Sequence, residues 1–76
     1  MNKTRRTSIN ILIADLKEKM SDIEDILSEE QYYLDNMPEN LQTSSKAGVA
    51  EEAINNLEDA ISSLDDAISS LEEAVL

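Results

Sequence analysis

The chain has 76 residues, no cysteine, no histidine, one glycine and one proline, and a net charge of −11 from six basic and 17 acidic side chains. That excludes a disulfide staple and the usual Cys/His zinc sites, and it sets most of the surface against nucleic acid and anionic membranes. A domain this small ordinarily needs a staple or a partner to hold its fold, so self-association is the expected route to stability.

Residues 1–7 read as a basic arm, in which Lys3, Arg5 and Arg6 supply half of all the cations. The stretch "KTRRTSINILIAD" begins like a signal peptide, but its apolar part is short and Asp15 interrupts it. No run of apolar residues is long enough to span a membrane, and a cytoplasmic protein is expected.

Ile9, Ile13, Leu16, Met20, Ile23, Leu27, Leu34 and Met37 follow alternating steps of four and three, with Glu30 in the one polar slot. This spacing predicts a first helix over 8–36, started by Thr7 or Ser8. Leu12, Ile26 and Tyr33 widen the apolar stripe on one flank, which places Tyr33 in the core and leaves Tyr32 partly exposed. Ser21–Glu24, "SDIE", has the form of a capping box, but the apolar period runs through it unbroken.

Residues 37–45 form the predicted loop. Pro38 has no amide hydrogen to continue a helix and disfavours helical geometry at Met37. Ser44 or Ser45 then caps a second helix over 46–75, with Gly48 weakening its first turn. In that helix the unit Ala-Ile-x-x-Leu-acid-acid recurs every seven residues. Ile54, Ile61, Ile68 and Val75 take one heptad position, Leu57, Leu64 and Leu71 another, and Ala53, Ala60, Ala67 and Ala74 a third.

The two stripes predict an all-α antiparallel helical hairpin in which paired residue numbers sum to about 84. A single seam between two helices leaves apolar flanks uncovered. At about 25 cal/mol per Å² it barely offsets the ordering entropy of the chain. The expected assembly is a homo-oligomeric helix bundle, a homodimer of four helices or a higher oligomer.

Three features are candidates for function. The acidic pairs Glu51-Glu52, Glu58-Asp59, Asp65-Asp66 and Glu72-Glu73 repeat about every 10.5 Å along the second helix. They read as a solvated face or, alternatively, as a nucleic-acid mimic. Arg5 and Arg6 read as a counterweight to Glu72 and Glu73 at the neighbouring helix end or as a phosphate clamp. The loop offers Tyr32 and Tyr33 beside Asn36, Pro38, Glu39 and Asn40, a corner suited to recognising a partner or a flat base, or else a well-capped turn closed by Leu41. In a dimer of antiparallel hairpins packed end to end, the arm of one chain meets the loop of the other. No Glu-x-x-His pair, EF-hand loop or histidine-activated serine is present, so neither metal nor cofactor nor catalysis is expected.

Residues 32–45, "YYLDNMPENLQTSS", followed by "AEEAINNLEDAISSLDDAISSLEEA", resemble a group of small acidic two-helix proteins of unknown function. These proteins occur in phages, prophages and genomes of Gram-positive gut bacteria. The likeness covers most of the chain and is most specific over Asp35–Gln42. It implies a mobile-element setting and stoichiometric binding: sequestering a nucleotide immune signal, such as a cyclic nucleotide, or blocking a host defence protein.

Overall fold

The computed structural model describes residues 1–76. It holds two long helices, α1 (Lys3–Asp35) and α2 (Ser45–Ala74), and between them a single 3-10 turn at Glu39–Leu41. The helices fold back on each other as a hairpin with overall dimensions of 59 × 15 × 13 Å. No helix is long and apolar enough to cross a membrane.

α1 begins earlier than its apolar period does. Asn2 is its cap, with extended backbone and a side-chain oxygen that accepts the Arg5 amide at 2.8 Å. The expected caps Thr7 and Ser8 lie inside the helix, where the Ser8 hydroxyl donates to the Thr4 carbonyl at 3.1 Å. Residues 3–7 are therefore not a separate arm but about one and a half additional turns of α1. Their position explains why no stripe announced them. In a register summing to about 84, the last turn of α2 stands beside Asn10, so nothing across the hairpin selects apolar residues before Ile9. α1 runs through Ser21–Glu24 without restarting.

The seam is the one that the period predicts. Every residue of the α1 stripe from Ile9 to Met37 is buried or half-buried, Glu30 included, and so are all seven heptad Ile, Leu and Val residues of α2. The best-covered side chains are Ile13, Met37, Ala47, Ala50, Ile54 and Ile68. Near the loop, large Met37 is buried together with small Ala47 and Ala50, which lets the two backbones close on the turn.

The turn satisfies its own backbone. The Asn36 amide and its side-chain nitrogen both donate to the Tyr32 carbonyl, at 3.0 and 2.9 Å. Pro38 accepts the Leu41 amide at 2.8 Å, and Gln42 reaches back to the Met37 carbonyl at 3.2 Å. Ser44 caps α2 by accepting from the Ala47 amide. Ser45, the other expected cap, is the first residue of the helix.

Candidate ligand-binding site

The seam fixes which residues stand on each side of the hairpin. Along α1, Arg5, Leu12, Lys19, Ile26 and Tyr33 are seven apart and form one edge; along α2, Lys46, Ala53, Ala60, Ala67 and Ala74 do the same. In an antiparallel pair these two edges lie side by side, and a shallow groove lined by Tyr33, Lys46, Val49 and Ala50 joins them near the loop. The opposite side carries Glu24 and Gln31 of α1 with Glu51, Glu58 and Asp65 of α2. The one salt bridge of the molecule, Lys17 to Glu72 at 3.5 Å, closes that second side. The hairpin thus has an apolar face edged with cations and an acidic face.

Tyr33 departs from expectation. It is 50% exposed, and Tyr32 is 70% exposed. The seam between two helices is only wide enough for Leu34 and Met37 at this level, and Tyr33 falls on the flank with Ile26 and Leu12, each 52% exposed. Leu41 does not plug the end of the hairpin either, being exposed at its surface.

Arg5 and Arg6 do not offset Glu72 and Glu73. That role falls to Lys17, a full three turns further along α1. The Arg6 guanidinium donates to the Met1 carbonyl, and both arginines are exposed without an acidic partner. Asn36, Glu39 and Asn40 are exposed at the far end, and Pro38 sets the turn that presents them. Some thirty residues of helix separate Arg5 from Asn36, about 46 Å at 1.5 Å per residue. Within one chain the structure does not bring the two halves of the candidate site together.

Lys46 and Lys19 join the candidate residues through their place on this face. Their signal was present in the same seven-residue spacing, since Lys46 heads the alanine row and Lys19 sits between Leu12 and Ile26. Every surface depression is open to solvent, and no three carboxylates converge to hold a metal ion. Compared with known proteins, the chain matches no family model, no curated protein and no solved structure.

Proposed function

We propose that the protein is a non-catalytic binding module that captures its target stoichiometrically and works as an assembly of hairpins. The observation that carries this reading is the pair Arg5 and Arg6, exposed and without an acidic partner in a chain of net charge −11. Each guanidinium is suited to phosphate, which it can grip through a fork of parallel N–H donors. The tyrosines and amides of the loop supply the complementary half, a stacking surface with directional hydrogen bonds. A nucleotide is the ligand class that uses both. The resemblance to small phage and prophage proteins supports a counter-defence role, in which the protein sequesters a nucleotide immune signal or occupies a host defence protein.

Isothermal titration of the full chain with cyclic di- and trinucleotides tests the proposal. The expected result is saturable binding that weakens at least tenfold in Arg5→Ala/Arg6→Ala and in Tyr32→Ala. A second reading, a purely structural bundle, draws on the unbroken heptads of α2 and the lack of an enclosed cavity. Absence of heat with every nucleotide, and no change of any binding in the arginine variant, would leave that reading standing instead.

A further inference from the structure

We infer that the apolar, cation-edged face is covered by a second copy of this chain, stacked antiparallel so that α1 lies on α1 and α2 on α2. The inference rests on the reading of the protein as an assembly of hairpins, but not on the identity of its ligand.

Area is the first argument. A compact protein of this mass exposes about 4,700 Å², whereas this chain exposes 5583 Å². The surplus of about 900 Å² is close to the roughly 800 Å² that each partner contributes to a standard interface. The uncovered large side chains of the heptad edge, Leu12, Ile26 and Tyr33, lie on this one face, and the neighbouring alanines of α2 permit close approach of another backbone.

Charge decides the orientation. Residues 1–14 contain three cations and no acid, so residues 15–76 hold three cations against all 17 acids. α1 therefore carries charge of the wrong sign at both ends: Arg5 and Arg6 at the positive N-terminus, and Asp35 with no basic residue at the negative C-terminus. A parallel copy would lay α1 on α2 and bring the two loop corners together at one end, with Asp35 and Glu39 of both copies. An antiparallel copy sets the arginines of one α1 against Asp35 and Glu39 of the other, and each helix end gains the charge it lacks.

The register follows from the edge itself. Pairing Leu12 with Leu12, Lys19 with Lys19 or Ile26 with Ile26 across a two-fold axis cannot be done for all three in an antiparallel stack. Centring on Lys19 would press two ammonium groups together. Shifting by half a heptad sets Leu12 against Tyr33 and Lys19 against Ile26, with Asp22 and Glu29 of the second copy one turn to either side of the lysine. In that register Asn10 of one copy lies opposite Asp35 at the end of α1 of the other, and Arg5, about 7.5 Å further along its helix, comes level with the loop corner beyond it. The arginine end and the loop corner, far apart in one chain, then form two equivalent composite sites.

The absence of native cysteine makes the test direct. Leu12→Cys and Tyr33→Cys are made singly in the full chain, mixed, allowed to exchange and oxidised without ligand. The expected product is a disulfide-linked heterodimer in the mixture, with neither variant linking to itself. Self-linking of Leu12→Cys means a different register or packing and overturns the proposal, as does a dimer that gives no link in the mixture. Sedimentation of the unmodified chain should give twice the 8.5 kDa mass, and a folded species at the single mass overturns it. Ile26→Glu should raise the dissociation constant at least a hundredfold, and Lys17→Ala, on the other side, should leave it unchanged; if Ile26→Glu fails to fold, the cross-link still decides. Because the cross-link is read without ligand, a negative nucleotide titration leaves it intact, and a self-link leaves ligand binding open to measurement.

Discussion

Gly48 sits in the first full turn of α2 with an ordinary helical backbone, and a methyl group built on it meets nothing within 4 Å. No turn, close approach or positive φ requires glycine here. Gly48→Ala should therefore stabilise the fold by about 1 kcal/mol through helix propensity alone, read as a higher midpoint in a thermal melt followed by circular dichroism. Tyr32 and Tyr33 illustrate the opposite relation between a residue and its surroundings. Both expose half or more of their surface, so what they do for the protein is not done by the hairpin core. The unpaired Arg5 and Arg6 fall in the same category: their charges oppose the dipole of their own helix, a local cost that no acidic side chain of the hairpin offsets.

The two helices differ in how plainly their sequences announce them. α2 was legible almost to the residue, because its strict heptads and Ser44 mark both a face and a start. Ser44→Ala should cost about 1 kcal/mol, measurable as a lower midpoint in the same melt, since its hydroxyl oxygen holds the Ala47 amide. The seam of α1 was equally legible, down to the half-buried Glu30 in its polar slot. The beginning of α1 was not. Asn2, Thr7 and Ser8 are all good caps, and the residue that decides among them is an apolar one facing a partner, which this end of α1 lacks. Tyr33 was misplaced for a related reason. Sequence period gives the direction of a side chain, but the width of the seam, which only the packed pair reveals, decides whether that direction is covered. Of the candidate site, the exposure of Tyr32 and the separation of Arg5 from the loop by the length of the rod were legible; the cationic edge that joins Lys19 to Lys46 depends on how the two helices lie side by side.

The proposed stacking of two such rods depends on salt in a defined sense. Two copies at net charge −11 each repel over their lengths, and the attraction that the stack would set between arginine ends and loop corners acts only at close range. At about 0.1 M salt, charges more than about 10 Å apart are largely screened, so the diffuse repulsion fades before the close contacts do. Self-association should tighten as sodium chloride rises from about 0.02 M to about 0.2 M, as followed by sedimentation equilibrium. Loosening over that range would mean that end-to-end attraction, rather than repulsion along the rod, dominates. The seven-residue spacing of both edges has one more effect. A straight α-helix turns about 20° away from such a row with every repeat. From Leu12 to Tyr33 the exposed edge therefore winds about 60° around its helix unless the pair coils left-handedly to follow it. A flat lipid surface or an extended peptide would meet that edge at one point and leave it within a repeat or two. In the proposed stack, a second copy brings the same hand of twist and so stays in touch along the whole of it.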